Sequence, residues 1–364
     1  MEKKENSKSK FDEKCVEMVR NVLEGRSTIK SEVYKTKDPK MYHRLVHMVV
    51  ENYDLLLEVI KKCKYMEEDQ ELGVVKCFEI LDRRLKNTRM YKKFKKALDG
   101  RKLKLTKPSV FIRINPLKNG TEKDIDFLKH EKTCIDGVYK ILDSKDIVFS
   151  EEYKNGKFLI QNISSCLPAH ILNPDEGSRV IDTCSAPGNK TSQLAMIMKN
   201  TGKIYAFERD KARAKTLKIR LERLGVNNTD VIEEDFMKTN PEDFKDIRYI
   251  LCDPSCSGSG MHFGYKMDKE RIEGLKSFQV GIVKHALKFK PEKLMYSVCS
   301  NHKEEGEEVV EEILKDSEYE LEDISMFWGP SCPSEFPFSR NVIRCRRDDN
   351  GATGFFIALF RRKK

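Results

Sequence analysis

The stretch Arg179-Val180-Ile181-Asp182-Thr183-Cys184-Ser185-Ala186-Pro187-Gly188-Asn189-Lys190-Thr191 decides the fold of this chain. A short apolar strand is followed by a turn of small residues and then by a predicted helix. Backbone N–H groups in such a turn can approach a ligand at the N-terminus of the helix. The turn is neither a G-x-G-x-x-G sequence nor a Walker loop, because Asn189 separates Gly188 from Lys190. A dinucleotide or ATP is therefore disfavoured as the ligand.

From about Ser164 onward, predicted strands and helices alternate. The predicted strands are residues 179–183, 203–207, 230–233, 248–252, 293–298 and 354–360, and the predicted helices are 190–199, 211–224, 269–289 and 303–314. Alternating strands and helices predict an α/β fold, a mostly parallel, doubly wound sheet of the Rossmann-like kind. Ligands of such sheets bind outside the carboxyl ends of the strands.

Two acidic residues follow predicted strands at this edge of the sheet. Glu208 comes about 20 residues after the turn, where an acid binds ribose hydroxyls. Asp235 follows the next strand, where its carboxylate could contact an adenine amino group. One such acid could simply face solvent, but acids at both places favour a ligand that contains adenosine.

Two cysteines also lie at strand ends, Cys256 after the strand 248–252 and Cys299 after the strand 293–298. With Asp253 beside the first thiol, the pair favours nucleophilic catalysis on a planar substrate. A lone cysteine is by default an inert, buried thiol. That default is expected for the other nine cysteines, including Cys15, Cys63, Cys77, Cys252 and Cys345.

The rest of the chain divides into three predicted parts before the Rossmann-like domain at 164–364. Residues 1–10 are polar and predict a disordered basic tail. Residues 11–104 have helical periodicity, with Leu45, Val49, Leu56 and Ile60 near one stripe. Residues 105–163 predict a small α+β module with strands at 109–114 and 157–161. Its helix is predicted at 121–130, N-capped by Thr121 with Asp124.

The charge of the chain is uneven. Of the net charge of +10, all lies in residues 1–107, which hold 28 basic and 18 acidic residues, whereas the remainder balances at 41 of each. Residues 83–107 hold twelve basic residues and one acid, with Tyr91 and Phe94 interleaved. Such a cluster predicts contact with RNA or DNA, and its alternative is a solvated helix face.

Composition excludes several classes of protein. No apolar run approaches the roughly 18 residues of a membrane span, and the first residues lack the apolar segment of a secretory signal. Eleven scattered cysteines without a CxxC pair indicate free thiols in a reducing compartment, and no zinc or other metal site is expected.

Three motifs together resemble those of a known family. They are CSAPGNKT at 184–191, DPSCSGSG at 253–260 and YSVCS at 296–300, and they are similar to the signature motifs of the Sun-domain (Nop2/Sun) RNA cytosine carbon-5 methyltransferases. FIRINPLK at 111–118 also resembles the start of that family's small RNA-binding module. The likeness covers residues 105–364, and the form of the second motif is most similar to the eukaryotic branch that acts on large-subunit ribosomal RNA. Residues 1–100 carry no matching motif.

The resemblance implies a cofactor and a set of roles. S-adenosylmethionine would be bound by Cys184, Ser185, Ala186, Pro187, Gly188, Asn189, Lys190, Glu208, Arg213, Asp235 and Asp253. Cys299 would be the nucleophile and Cys256 the thiol that assists product release. The family usually has Thr before the nucleophile, whereas this chain has Val298, so any hydrogen bond from that hydroxyl is missing here.

The implied chemistry needs these residue types. Carbon 5 of cytosine is a poor nucleophile until a thiolate adds to carbon 6, and the target base must leave its stack to reach the thiol. Asp253, as a protonated or hydrogen-bonding carboxyl, would hold N3 of the base. A nearby cation such as Lys190 would favour the thiolate of Cys299. Cys256 would then assist loss of the carbon-5 hydrogen and expulsion of the sulfur.

Three alternatives stay open. A methyltransferase acting on an exocyclic amine would need an aromatic residue in place of Cys256. A non-catalytic assembly factor could use the fold only to bind ribosomal RNA, and a Cys256–Cys299 disulfide could serve a redox role. For the main hypothesis we expect an RNA partner, a monomer, no membrane association, and a location in the nucleus, specifically the nucleolus.

Overall fold

The computed structural model describes residues 10–363 except 28, 34, 37–38, 66, 68, 84–87, 104–108, 144–146, 262–267, 316, 329–334 and 348–350. Contacts within the chain define two compact units. One contains residues 1–107 with 262–271, and the other contains residues 108–261 with 272–364. No described helix is long and apolar enough to cross a bilayer.

The described residues up to 97 in the first unit are mainly helical. Their helices are α1 Lys10–Leu23, α2 Ile29–Val33, α3 Pro39–Glu51, α4 Tyr53–Lys62, α5 Gln70–Asp82 and α6 Arg89–Ala97. The predicted stripe of Leu45, Val49, Leu56 and Ile60 is buried in one apolar core. Residues 1–9 of the predicted disordered tail lie outside the described residues, and Lys10 already belongs to α1.

The second unit begins with a small antiparallel sheet. Its strands are β1 Val110–Ile114, β2 His130–Lys132, β3 Val138–Ile141 and β4 Phe158–Ile160, in the order β2-β3-β1-β4. A short helix, α7 Glu151–Lys154, precedes β4. The two predicted strands of this region, 109–114 and 157–161, correspond to β1 and β4.

The predicted helix at 121–130 is wrong beyond its first turn. Thr121 and Asp124 do form the expected capping box, but the helix is a single 3-10 turn, Glu122–Ile125. His130 instead begins β2 and pairs with Ile141 of β3. The local sequence of this segment favours a helix, but its last residue instead forms a strand that pairs with β3.

The larger sheet of the second unit has eight strands. They are β5 Arg179–Asp182, β6 Lys203–Phe207, β7 Thr229–Ile232, β8 Ile247–Cys252, β9 Lys293–Val298, β10 Tyr319–Leu321, β11 Ile343–Cys345 and β12 Phe355–Arg362. The order is β10-β12-β9-β8-β5-β6-β7, with β11 paired to β12. Strands β5 to β9 are parallel. The predicted doubly wound α/β fold is thus confirmed.

Helices cover both faces of this sheet because its strands present apolar residues on both faces. The helices are α8 Ile163–Leu172, α9 Asn189–Ile197, α10 Lys211–Arg223, α11 Lys269–Leu287 and α12 Glu307–Leu314. Val180 and Leu251 pack with residues of α8 and α9, whereas Ile181 and Ile250 pack with residues of α11 and α12. Successive strand residues point to opposite faces, so each strand contributes to both cores.

Two buried side chains of β1 and its following turn join the small sheet to the larger one. The Arg113 guanidinium donates to the Asn189 carbonyl at 2.9 Å and to Ser192 Oγ at 3.0 Å, both at the start of α9. Asn115 Nδ2 donates to the carbonyl of Leu224 at 2.9 Å, just after α10. The two sheets therefore share buried polar contacts within one unit.

Candidate active site

The site lies where the strand order reverses. From β5 the chain moves outward through β6 and β7, and then returns to place β8 on the other side of β5. Asp182 of β5 pairs with Leu251 of β8, so the segments after these strands leave the sheet side by side. Such a switch point is where α/β sheets bind their ligands.

The small-residue turn after β5 is braced by buried hydrogen bonds. Asp182 Oδ2 accepts a hydrogen bond from Thr191 Oγ1 at 2.7 Å. Burial, together with the charge of Asp253, raises the pKa of Asp182 to about 6. Gly188 has φ of 100°, and a Cβ there would lie 2.8 Å from Leu217. The turn into α9 therefore requires glycine at this position.

The acids at the ends of β6 and β7 lie as the sequence predicts. Glu208 is buried, and its carboxylate accepts the N–H of Asp210 at 2.9 Å. Arg213 lies 3.3 Å from the same carboxylate and also donates to the carbonyl of Ala186 at 2.9 Å. Asp235 is partly buried at the end of β7 and caps the next 3-10 turn through Met237 N–H. Arg213 thus connects Glu208 to the turn.

Asp253, directly after β8, accepts two hydrogen bonds. Lys190 Nζ donates to Oδ2 at 2.7 Å, and Ser297 Oγ donates to Oδ1 at 2.7 Å. The Lys190 ammonium also donates to Ser165 Oγ at 3.1 Å and lies 5.1 Å from the Phe355 ring centroid. Burial opposes its charge, but the Asp253 carboxylate outweighs burial and raises the pKa of Lys190. The site therefore holds a charged lysine beside a carboxylate acceptor.

The two predicted thiols are in contact, with Cys256 Sγ and Cys299 Sγ 3.1 Å apart. The hydrogen bond from Cys256 lowers the pKa of Cys299, with help from the Lys190 charge and against burial. The same hydrogen bond, together with burial, raises the pKa of Cys256 well above its usual value. Cys299 is therefore the thiol that ionises first, because Cys256 retains its proton.

The structure also places the other cysteines and the residue before Cys299. Cys15, Cys63, Cys77, Cys252 and Cys345 are buried, as expected of packing residues, whereas Cys134 is exposed and does not fit that expectation. Val298 is fully buried in the apolar core against the α11 side of the sheet. A β-branched apolar side chain fits there without a hydrogen-bond partner. Among the described residues, no cluster of three or more His, Cys, Asp or Glu could hold a metal ion.

Sequence reasoning missed several polar residues around the thiols. Ser297 could have been found, because it lies at the carboxyl end of β9, two residues before Cys299. Ser165 gave no signal, since α8 lies far from Lys190 in sequence. Glu305, buried beside both cysteine loops, was also missed.

Comparisons with known proteins agree with this fold. A family model described as 16S rRNA methyltransferase RsmB/F matches residues 169–361. The chain is 36% identical over 288 residues to the 28S rRNA (cytosine-C(5))-methyltransferase of Mus musculus, covering 69% of this chain and 62% of that protein. It is 35% identical over 315 residues to the 26S rRNA (cytosine-C(5))-methyltransferase nsun-5 of Caenorhabditis elegans, covering 75% of this chain and 71% of that protein. A methyltransferase homologue from Pyrococcus horikoshii has a TM-score of 0.65 at 25% identity, covering 85% of this chain and 99% of that one.

The fold, the switch point and the strand-end acids define a Rossmann-like methyltransferase domain. Within that class, the chain belongs to the RsmB/F family of ribosomal RNA methyltransferases. The Sun-domain resemblance predicted from the three motifs is thereby confirmed. The chain spans 62% of the length of the mouse relative and 71% of the nematode one.

Proposed function

We propose that this protein transfers a methyl group from S-adenosylmethionine to carbon 5 of a cytidine in large-subunit ribosomal RNA. One observation supports this most directly. Two thiols of opposite pKa shift are in contact beyond the carboxyl ends of β8 and β9, in the site that also contains the Lys190–Asp253 pair. The names of the eukaryotic relatives support the choice of RNA.

The residues present fit the proposed cofactor. The turn Cys184–Lys190 offers backbone N–H groups at the start of α9, and Glu208 is a buried carboxylate suited to ribose hydroxyls. Asp235 would accept from the adenine amino group, while Arg213 would hold Glu208 and the turn in place. When bound, S-adenosylmethionine supplies an electrophilic methyl group on a sulfonium.

Lys190 and Asp253 would hold the target base. Asp253 accepts hydrogen bonds from Lys190 and Ser297, so its carboxyl oxygens suit the N4 amino group as an acceptor. Lys190 can donate to N3, which has no hydrogen in cytosine. Addition of a thiolate to carbon 6 pushes electrons toward N3. A fixed ammonium there would stabilise that developing charge.

Cys299 would add to carbon 6 as the thiolate, forming a carbon–sulfur bond and making carbon 5 nucleophilic. Once carbon 5 carries the methyl group, its hydrogen must leave as a proton and the bond to Cys299 must break. Once it has released its own proton to solvent, Cys256 can accept the carbon-5 proton as a thiolate. The main cause that raises its pKa is the hydrogen bond to Cys299, and this cause weakens once that sulfur is bonded to carbon.

Trapping the adduct tests these roles. The Cys256→Ala variant, incubated with large-subunit ribosomal RNA and S-adenosylmethionine, should accumulate protein covalently bound to RNA because release is slowed. Denaturing gel electrophoresis should show a slow-migrating band that nuclease removes. The band should disappear in the Cys256→Ala/Cys299→Ala variant, which lacks the nucleophile.

The other outcomes distinguish the alternatives. If Cys299→Ala alone gives the band and Cys256→Ala does not, the two thiols have exchanged roles. If the wild type methylates the RNA but Cys256→Ala gives no band, release does not depend on Cys256. If the wild type methylates no ribosomal RNA, the non-catalytic binding hypothesis is favoured. Methyl transfer that needs no reductant would remove the redox alternative.

We further propose that α6 contacts RNA. Its basic surface, defined as Arg89, Lys92, Lys93, Lys95 and Lys96, is exposed around the buried Phe94. None of these five side chains forms an ion pair with a described residue, whereas Arg20, Arg44 and Arg101 of the same unit do. Residues 84–87 and 104–107 of the predicted basic segment lie outside the described residues. Unpaired cations on one helix suit a polyanion.

Reversing two of these charges should weaken RNA binding. For Lys92→Glu/Lys96→Glu, we expect lower affinity for ribosomal RNA and a salt dependence, log K against log salt, shallower by about 2, because two phosphate contacts are lost. Cofactor affinity should not change. The matched control is Lys284→Glu/Lys315→Glu, the same charge change at two lysines that pair with Glu312. Filter binding across a salt series measures both, and equal losses would reject the proposed surface.

The proposed substrate also implies a cellular location. In a eukaryotic cell, large-subunit ribosomal RNA is made in the nucleolus, so we propose that the enzyme acts there. We also propose that it acts as a monomer.

A further inference from the structure

Glu305 is a buried carboxylate that the proposed chemistry does not use. It ends the 3-10 turn Lys303–Glu305, six residues after Cys299, and it is fully buried. Among the described residues, no lysine, arginine or histidine forms an ion pair with it. An ionised carboxylate is costly to bury unless hydrogen bonds replace its lost water. The donors that replace this water therefore indicate what the residue does.

The Glu305 side chain holds the loops of both reactive cysteines. Its Oε1 accepts the backbone N–H of Ser257, the residue after Cys256, at 2.8 Å. Its Oε2 accepts the hydroxyl of Ser300, the residue after Cys299, at 2.6 Å. One carboxylate thus bridges the residues that follow the two thiols.

Two neighbours strengthen this bridge. Gln279 of α11 donates to Glu305 Oε1 at 2.9 Å and to the Ser255 carbonyl at 3.1 Å, so both residues that flank Cys256 are held. Tyr296 of β9 donates its hydroxyl to the Glu305 main-chain carbonyl at 2.6 Å. The main chain of Glu305 is therefore fixed to the strand that leads into Cys299.

The electrostatics argue against a role in activating the nucleophile. The hydrogen bond from Cys256 lowers the pKa of Cys299, and the Glu305 charge works against that lowering. Its oxygens are already occupied by three donors, so Glu305 is also poorly suited to take a proton from substrate. What remains is its geometric effect on the two loops.

We propose that Glu305 is a positioning residue that holds the Cys256 and Cys299 loops together, so that one thiol can act on the adduct formed by the other. This rests on the proposed methyl transfer for its purpose. The positioning itself can be measured without RNA or cofactor.

Phenylarsine oxide is a suitable probe, because it bonds two thiols only when they are close. One As–O double bond and two S–H bonds are exchanged for two As–S bonds and one water molecule, with no change of oxidation state. The wild type should bind one equivalent that Cys256→Ala abolishes. Glu305→Ala should weaken this binding at least tenfold, whereas Glu305→Gln should retain it within threefold. The amide oxygen can still accept from Ser257 N–H, and the amide N–H can donate to Ser300.

Control variants separate positioning from general stability. Glu304→Ala, in the same 3-10 turn, should bind the arsenical like the wild type. Ser300→Ala removes only one side of the bridge and should weaken binding by a smaller factor, which keeps the test informative if Glu305→Ala does not fold. Thermal melting of every variant shows whether it is folded at the assay temperature. Wild-type affinity in folded Glu305→Ala, or in Ser300→Ala when Glu305→Ala does not fold, would overturn the proposal.

A second measurement links positioning to turnover. With RNA and S-adenosylmethionine, Glu305→Ala should accumulate the covalent adduct although both thiols are present, and Glu305→Gln should not. If the wild type methylates no RNA, the proposed function fails while the arsenical result still decides the positioning role. If the wild type is active and Glu305→Ala releases product normally, the positioning role in catalysis is rejected.

Discussion

Replacing Cys299 with alanine should abolish methyl transfer to ribosomal RNA, with a loss of roughly 10⁴-fold or more, the scale seen when an enzyme loses its nucleophile. Without the thiolate, no group in the site adds to carbon 6, so carbon 5 stays unreactive. Transfer of radiolabelled methyl groups to RNA under single-turnover conditions measures this loss. Cofactor affinity should be unchanged, because the substitution alters neither the turn after β5 nor Glu208.

Two other cysteines provide controls. Cys134→Ala removes an exposed thiol outside the site and should leave the rate unchanged. Cys256→Ala should still transfer one methyl group per enzyme, because its proposed role begins after the transfer. Substantial activity in Cys299→Ala would exclude the covalent mechanism and favour direct attack on another atom of the base.

Replacing Asp253 with asparagine should lower the methylation rate by about 10² to 10⁴-fold. The variant keeps the shape of the side chain but loses the charge that balances Lys190, whose ammonium lies 2.7 Å away. An amide N–H would face that ammonium, or the amide oxygen would turn away from Ser297. Both the base and the lysine would lose their fixed orientation. Initial rates at saturating cofactor, with kcat and KM separated, measure the effect.

Ser297→Ala is the matched control for Asp253→Asn. It removes one neutral hydrogen bond from the same carboxylate and keeps the charge, so we expect at most about a tenfold loss. Breaking the largely buried Lys190–Asp253 pair should also cost about 3 to 5 kcal/mol of stability. Thermal unfolding must therefore show that Asp253→Asn is folded at the assay temperature. Equal rates for the two variants would contradict a charge-dependent role.

The parallel core of the fold was predictable because its signals are local. Each strand from β5 to β9 is a short apolar run, and each is followed by turn residues or by an acid. The edge of the sheet was not predictable in the same way, because β12 runs antiparallel to β9 and apolar content carries no direction. The helix α8 was also missed, since it is buried on nearly all sides and contains Pro168, so it has no amphipathic period.

The residues of the candidate site also differ in whether a local sequence signal could predict them. Residues within motifs were predicted, and the structure brings Lys190, Asp253, Cys256 and Cys299 together. The residues that orient them come from elsewhere in the chain. Ser165 belongs to α8 and Glu305 to a separate turn, and only the folded chain brings them to the site. The residues proposed to carry out the chemistry could thus be predicted from sequence motifs. The residues that support them could not, because tertiary structure alone brings them to the site.

The buried contacts of Arg113 and Asn115 limit how this enzyme can be divided or recombined. Arg113 is a buried cation whose hydrogen bonds end on the first turn of α9, the same turn that begins the proposed cofactor site. Removing the small sheet would take the Arg113 donor away from α9, and transplanting it alone would leave the guanidinium with Gln161 but without its partners on α9. Evolution and protein engineering must therefore exchange the two sheets together. The part that resembles an RNA-binding attachment is inherited as a structural component of the catalytic half.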